Sequence, residues 1–353
     1  MKNIYVVRPV GFNVGNNVIN VGLSNLLGRV FHTPVNFVSV DATSKYGAKN
    51  LYGLNSQSVH EMNMYADGVI VGGGNLLENG ELDIDPAALR ALRPPMIMTG
   101  VSWGRIYNIN GQLVNRTDSI SRQSASALAA RCDWMLARDD STQSFLQDHT
   151  DRKVSLGGCP SLFLKSPASS QTKNRAVVCV RNPTLMSVPV GLQSRIPQAV
   201  ETLIDHASKI YDEVEVLCHD HRDIPFASAL RNTSYRYFEN PRDFLRYLKH
   251  SAAVLTYRLH GFLPAMVFGV PAANFSYDER AVAALRTLNL GGWDVNIVTD
   301  PSAGENALDR LARLSDSLDF WDQALPRRTE LMSVQEVAMT EFADAVVSWK
   351  RGT

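Results

Sequence analysis

The feature that most constrains the fold is an alternation, repeated in both halves of the chain, between short apolar runs and longer amphipathic stretches. The first half has apolar runs of strand length at Ile4–Val7, Val35–Val40, Gly68–Val71, Met96–Thr99, Trp134–Ala137 and Lys153–Leu156. The second half has them at Ala176–Val180, Glu213–Cys218, Tyr235–Phe238, Ala252–Thr256 and Ala272–Phe275. Strands that alternate with helices predict parallel sheets joined by right-handed crossovers.

The division of the chain predicts an α/β protein with two Rossmann-like parallel-sheet domains that face a cleft. A polar segment with one proline and three serines separates the halves. We therefore predict a first domain over residues 1–165, a linker over 166–174 and a second domain over 175–330. A final helix over 331–353 carries Leu331 and Phe342 on one apolar face and is expected to pack across a domain surface.

Charge and hydropathy restrict the class of protein. Lys+Arg and Asp+Glu both number 35, so the chain lacks the basic excess typical of nucleic-acid binding. The first apolar run is too short for a signal peptide, and no stretch reaches the ~20 apolar residues of a membrane span. These observations predict a cytoplasmic protein, free or at the inner face of the membrane. Four cysteines without a CxxC pair are expected to be buried reduced thiols: Cys132, Cys159, Cys179 and Cys218.

The strongest candidate site is the segment RLHG, from Arg258 to Gly261, which follows a predicted strand directly. Pro264 suits the first turn of a following helix, and Gly269 suits its C-terminal stop. A helix N-terminus offers free N–H groups to an anion, and a guanidinium adds bidentate recognition of carboxylate or phosphate. A capping arginine and a structural histidine are the alternative. We favour a binding site because Arg258 and His260 share the predicted cleft.

The second candidate is Arg138 in the segment ARDD, where another predicted strand ends and a helix follows. Asp139 or Asp140 suits the N-cap of that helix, whereas Arg138 is not needed for capping. We expect Arg138 to contact a ligand in the cleft, with a surface ion pair as the alternative.

Weaker candidates are glycines, asparagines and ring-bearing side chains near strand ends. The GGGN loop matches neither the dinucleotide fingerprint nor a Walker A loop, and Gly-rich or Asn-rich turns serve structure as readily as binding. The two histidines of CHDH lack a partner motif with zinc spacing, so we predict no metal site. The candidates for the acceptor or the cleft are Arg8, Asn13, Asn16, Gly73, Gly74, Asn75, Trp103, His219 and His221.

Three motifs in this order are shared with a known family: GGGN, then ARD with Ser141 following, then RLHG with a downstream GVP and Tyr277-Asp278. Over residues 5–290 the sequence resembles the polysaccharide pyruvyl transferase family. The resemblance implies a GT-B-like fold and a cofactor-free transfer of pyruvate from phosphoenolpyruvate to paired sugar hydroxyls, which yields a cyclic ketal in exopolysaccharide biosynthesis.

The resemblance also implies roles for individual residues. Arg138 and His260 become the catalytic and donor-binding residues, and Leu259 supplies a backbone contact. Arg258 and Gly261 complete the donor site. The second domain would hold phosphoenolpyruvate, and the first would hold a sugar or glycan acceptor, free or lipid-linked. His260 is a candidate acid–base, or else a stabiliser of the leaving phosphate.

Two segments depart from the family pattern. Gly15-Asn16-Asn17 stands where many members carry an aspartate in a GNxGD-like loop, and Gly158-Cys159-Pro160-Ser161 stands where many carry a PDP-like triplet. Because both lie in or near the first domain, we expect them to affect the acceptor and not the donor chemistry.

Two other functions fit the same architecture. A glycosyltransferase would use a nucleotide sugar, but acidic and aromatic contacts for a base and ribose are not evident. A non-catalytic sugar-binding paralogue would keep the fold and lose donor binding. The presence of both Arg138 and His260 favours an enzyme.

Overall fold

The computed structural model describes residues 1–11, 13–46, 51–167, 173–314 and 318–350, without the side chains of Tyr46 and of residues 318–323. Most of the predicted linker, at 168–172, therefore lies outside the described residues, as do the last three residues of the chain.

Two six-stranded sheets organise the chain, and all strand pairs within them are parallel. The first half contains β1 (Lys2–Arg8), β2 (Val35–Asp41), β3 (Gly68–Gly74), β4 (Met96–Val101), β5 (Ile106–Tyr107), β6 (Leu113–Val114), β7 (Trp134–Ala137) and β8 (Ser155–Leu156). The second half contains β9 (Arg175–Val180), β10 (Glu213–Cys218), β11 (Ser234–Tyr237), β12 (Ala253–Thr256), β13 (Ala272–Ser276) and β14 (Asp294–Asn296). The predicted fold class is confirmed.

Helices occupy the connections between the strands. They are α1 (Val14–Val30), α2 (Ser56–Tyr65), α3 (Pro86–Arg90), α4 (Arg122–Arg131), α5 (Asp140–Gln147), α6 (Val190–Gln193), α7 (Ile196–Ala207), α8 (Ile224–Ala227), α9 (Pro241–Lys249), α10 (Leu259–Phe268), α11 (Glu279–Thr287), α12 (Ala303–Arg313) and α13 (Leu318–Ser348). Strands β3, β4, β9 and β12 are buried along their whole length, as expected for parallel sheets covered on both faces.

Each sheet reverses its winding at one point. The first sheet has the order β2-β1-β3-β4-β7-β8, so its reversal lies between β1 and β3. The second has the order β11-β10-β9-β12-β13-β14, so its reversal lies between β9 and β12. In open α/β sheets, ligands bind outside the carboxyl ends of the strands at such points. The topology therefore predicts a ligand site at the turns after β1, β3, β9 and β12.

The C-terminal helix α13 returns to the first half of the chain. Phe342 and Val346 are fully buried and pack against Gly68 at the start of β3. Gln335 donates a hydrogen bond to the carbonyl of Gly157 at 2.5 Å. Within the described residues, no helix combines the length and the apolar character that crossing a bilayer requires. All four cysteines are buried and unpaired, as the sequence predicted.

Helix α1 packs closely on the turn Pro160–Phe163, and Gly22 makes this approach possible. A Cβ atom at Gly22 would lie 2.2 Å from the carbonyl oxygen of Pro160. We expect Gly22→Ala to lower the free energy of unfolding in urea by about 1–3 kcal/mol through overpacking. Gly28 lies in the same helix with no atom within 4 Å of the corresponding position, so Gly28→Ala should stabilise by roughly 0.5–1 kcal/mol. Equal effects of the two substitutions would contradict this account.

Candidate active site

The carboxyl ends of both sheets face a shared cleft of about 670 Å³. This volume lies within the range of ~300–1,000 Å³ that is usual for small-molecule sites. The turns after β1 and β3 line one side, and those after β9, β10, β12 and β13 line the other. Arg138, which follows β7, also reaches the cleft. Both winding reversals therefore contribute to one site.

Arg258 carries the least compensated charge in the cleft. Its side chain is only 9% exposed, and no carboxylate or hydrogen-bond acceptor engages the guanidinium among the described residues. Arg258 occupies the N-cap position of α10, and no side chain of the described residues caps that helix. The first-turn N–H groups of Leu259 and His260 therefore remain available, and together with the guanidinium they favour an anion.

Helix α10 begins earlier than the sequence predicted. Its first residue is Leu259, so Pro264 lies inside the helix and not in the first turn. Proline lacks the N–H that would bond the carbonyl of His260 four residues before, which leaves that oxygen without its helical donor. Gly269 ends the helix in the left-handed conformation, with φ of 77°, as predicted.

His260 lies at the centre of the cleft between the two halves of the chain. Burial lowers the pKa of its imidazole to about 3, and the neighbouring charges of Arg138 and Arg258 act in the same direction. The ring is therefore neutral at physiological pH, so in the free protein it can accept a proton but has none to donate as an acid.

Both segments that depart from the family pattern contact His260. A Cβ atom at Gly15 would lie 3.1 Å from the Cβ of His260, and the Sγ of Cys159 lies 3.6 Å from its Nε2. That these departures affect the acceptor and not the donor chemistry stays a prediction. They form part of the packing around the histidine.

Arg138 is held by a buried carboxylate and by the opposite half of the chain. It forms an ion pair with Asp139 at 3.0 Å and donates a hydrogen bond from Nη2 to the carbonyl of Arg280 at 3.2 Å. Asp139 is the N-cap of α5 and accepts from the N–H of Thr142 at 2.9 Å. Burial raises the pKa of Asp139, whereas Arg138 opposes that shift. Capping and charge compensation thus fix Arg138 at the cleft.

Comparison with known proteins places this arrangement in a family. The model of the family described as polysaccharide pyruvyl transferase matches residues 13–279, which include RLHG and Arg138. The chain belongs to this family. No curated protein sequence matches it.

Two solved structures share the fold at low sequence identity. MnaA from S. aureus, solved with UDP, has a TM-score of 0.59 at 13% identity, and all of each chain is covered. UDP-GlcNAc 2-epimerase from Neisseria meningitidis, bound to UDP-GlcNAc, has a TM-score of 0.58 at 12% identity over 98% of this chain and 100% of the other. These similarities establish a two-domain fold of the GT-B kind for this pyruvyl transferase family member.

Several residues expected at the cleft line it in the structure. The carboxamide oxygen of Asn13 accepts from the N–H of Gly15 at 3.0 Å and so caps α1. The carboxamides of Asn16 and Asn75 have no hydrogen-bond partner in the described part of the chain and are available to a ligand. Those that line the cleft are Asn13, Asn16, Gly74, Asn75, Arg138, His219, His221, Arg258, Leu259 and His260.

Four other candidates lie outside the cleft. Arg8 donates hydrogen bonds to Ser39 at 2.9 Å and to Asn17 at 3.2 Å. Trp103 stacks on Phe145 with 4.7 Å between ring centroids. The other two, Gly73 and Gly261, allow close packing, since a Cβ at each would approach Ile19 and Thr256 respectively.

The structure adds an ionic cluster that the sequence did not reveal. Arg280 lines the cleft at the start of α11 and pairs with Asp278 and, at 2.9 Å, with Glu78 from the opposite half of the chain. Arg116 lies 3.9 Å from the same carboxylate. Arg181, which directly follows β9, also lines the cleft. Among the described residues, no three His, Cys, Asp or Glu side chains are grouped to hold a metal ion.

Proposed function

We propose that this protein transfers the pyruvyl group of phosphoenolpyruvate onto two hydroxyls of a sugar acceptor and forms a cyclic ketal. The observation that supports this most directly is the buried and uncompensated guanidinium of Arg258, beside Arg138 and His260. Phosphoenolpyruvate carries a carboxylate and a phosphate, and two fixed guanidinium groups beside an uncapped helix N-terminus match that charge.

The neutral imidazole of His260 has a defined role in this reaction. It accepts the proton of the first acceptor hydroxyl as that oxygen attacks the central carbon of the enol phosphate. The imidazolium delivers this proton to the methylene carbon in the same step, because addition to the central carbon would otherwise leave an unstabilised carbanion. Attack by the second hydroxyl expels phosphate, and phosphate leaves with the second hydroxyl proton. Protons and phosphate therefore balance without a further reactant.

Donor binding also adjusts the basicity of His260. In the free protein, the charges of Arg138 and Arg258 help to hold the pKa of the imidazole near 3. A bound carboxylate and phosphate offset those charges, so the pKa of His260 rises when phosphoenolpyruvate enters. The histidine becomes an effective base only in the donor complex.

Binding of phosphoenolpyruvate to Arg258→Gln tests the donor site. At about 100 times its Kd, phosphoenolpyruvate should stabilise the wild-type protein by about 2.7 kcal/mol. Loss of a charge-assisted contact should weaken its affinity by roughly 10–100-fold in the variant, measured by calorimetry. Arg246→Gln removes the same charge at a side chain that is 61% exposed, and should leave the affinity unchanged.

UDP serves as the competing ligand in the same assay. Stabilisation by UDP, with none by phosphoenolpyruvate, would replace this proposal with a nucleotide-sugar transferase. Unchanged phosphoenolpyruvate affinity in Arg258→Gln would remove the assignment of the donor site.

A further inference from the structure

A second group of cationic and imidazole side chains lines the cleft beside the proposed donor site. Arg181 directly follows β9, His219 directly follows β10, and Arg258 comes two residues after β12. These three strands are adjacent in the sheet, in the order β10-β9-β12, and all three residues line the cleft. Arg181 and His219 therefore extend the site along the edge of the second sheet.

The charges in this region do not cancel. Arg181 lies 3.3 Å from a carboxylate oxygen of Asp223 and 3.8 Å from one of Asp220. Arg222 also pairs with Asp220, at 2.5 Å. Arg181 and Arg222 balance the two carboxylates, so the positive charge of this region that no carboxylate offsets among the described residues is that of Arg258. Burial and then the charge of Arg258 lower the pKa of Arg181, and an anion between the two arginines would relieve that repulsion.

His219 offers hydrogen-bonding atoms that the protein itself does not use. The residue is 0% exposed, and neither ring nitrogen has a hydrogen-bond partner among the residues that the structure describes. Its ring packs edge-on against Phe244, and its backbone carbonyl accepts the N–H of Val14 at 2.8 Å. Burial, together with Arg258, His260 and Arg181, keeps the pKa of the imidazole well below its usual value. A buried polar group left unsatisfied is costly, and a ligand oxygen at the cleft wall would satisfy it.

We propose that Arg181 and His219 form a subsite for a phosphate group of the acceptor, so that the sugar is bound as a phosphate or diphosphate ester. This inference rests on the proposed function, which places the two anionic groups of the donor at Arg138 and Arg258. The volume of about 670 Å³ leaves room for a second and larger ligand beside a three-carbon acid.

The test uses inorganic pyrophosphate as the probe and His219→Leu as the variant. Because the His219 side chain makes no hydrogen bond within the described part of the chain, the substitution removes an unsatisfied polar group and should not destabilise the fold. Pyrophosphate should bind wild-type protein that is saturated with phosphoenolpyruvate. In His219→Leu its affinity should fall by about 10-fold or more, while phosphoenolpyruvate affinity stays within about 2-fold.

Arg181→Gln should act in the same direction as His219→Leu, and the exposed Arg246→Gln should bind both ligands as the wild type does. UDP and geranyl diphosphate distinguish the two sources of a diphosphate: tighter binding of UDP indicates a nucleotide sugar, and tighter binding of geranyl diphosphate indicates a lipid-linked sugar.

Competition between pyrophosphate and phosphoenolpyruvate would overturn the proposal, because the two would then share one anion site. Unchanged pyrophosphate affinity in His219→Leu would also overturn it. If the wild type fails to bind phosphoenolpyruvate, the proposed function fails, but pyrophosphate titrations of wild type and His219→Leu without the donor still test the subsite.

Discussion

Replacing His260 with alanine is expected to lower kcat/KM for pyruvyl transfer by about 10²–10⁴-fold while the protein stays folded. The nearby charges of Arg138 and Arg258 help to keep the imidazole neutral, so it can take the proton of an acceptor hydroxyl. Steady-state release of phosphate measures the loss. Cys159→Ser is the matched control, because its Sγ lies 3.6 Å from Nε2 but burial raises the pKa of the thiol and keeps it protonated.

The pH dependence gives a second readout of the same role. Since the pKa of His260 is about 3 in the free protein, the kcat/KM profile should show no inflection from this group between pH 5 and 8. The kcat profile reports the enzyme–substrate complex, in which bound anions raise the pKa of His260. In the wild type, the fall of kcat on the acid side should therefore lie closer to neutral pH. This fall should be absent in His260→Ala. A variant with wild-type kcat/KM would exclude His260 from the reaction.

The fold could be predicted because the physical requirement of a parallel sheet is visible in the sequence. Strands such as β3 and β9 are buried on both faces, so they are continuous apolar runs that the helical stretches separate clearly. The pair β5 and β6 spans two residues per strand, and β14 spans three, which is too short for any period to show. The start of α10 is not visible in the sequence, because Arg258, at its N-cap, is not a capping residue type.

The candidate site was predictable where a residue directly follows a central strand. Arg138 directly follows β7 in the first sheet, and His260 lies in the first turn of α10, which follows β12 in the second; the carboxyl ends of both sheets face the same cleft. Position after a strand is not sufficient, however. Arg8 also ends a strand, but its side chain donates a hydrogen bond to Ser39 on the neighbouring strand and does not enter the cleft.

The residues that sequence reasoning missed depend on contacts between distant parts of the chain. Arg280 pairs with Glu78 across 202 positions, and no local pattern around either residue indicates the other. The N-cap at Asp278, which accepts from the N–H of Arg280 at 3.1 Å, was the one available signal that a helix begins at the cleft. Ion pairs between the two halves of the chain can therefore be identified only from the three-dimensional structure.

Glu78→Ala is expected to lower the free energy of unfolding by about 3–5 kcal/mol, the usual effect of removing one partner from a buried ion pair. Glu78 is 0% exposed, and burial raises the pKa of its carboxyl while Arg280 opposes that shift. Without the carboxylate, the remaining charged partner of Arg280 among the described residues is Asp278, and the remaining partners of Arg116 are Asp118 and Asn79. Unfolding in urea measures the loss.

Asp118→Ala provides the matched control for this prediction. Asp118 also pairs with Arg116, at 2.7 Å, but its side chain is 47% exposed. Solvent screens such a pair, so its loss should cost only about 0–1 kcal/mol. The carbonyl of Arg280 also accepts the hydrogen bond of Arg138, so Glu78→Ala should weaken binding of phosphoenolpyruvate as well, whereas Asp118→Ala should not. Equal losses of stability in the two variants would mean that Glu78 does not connect the two halves of the site.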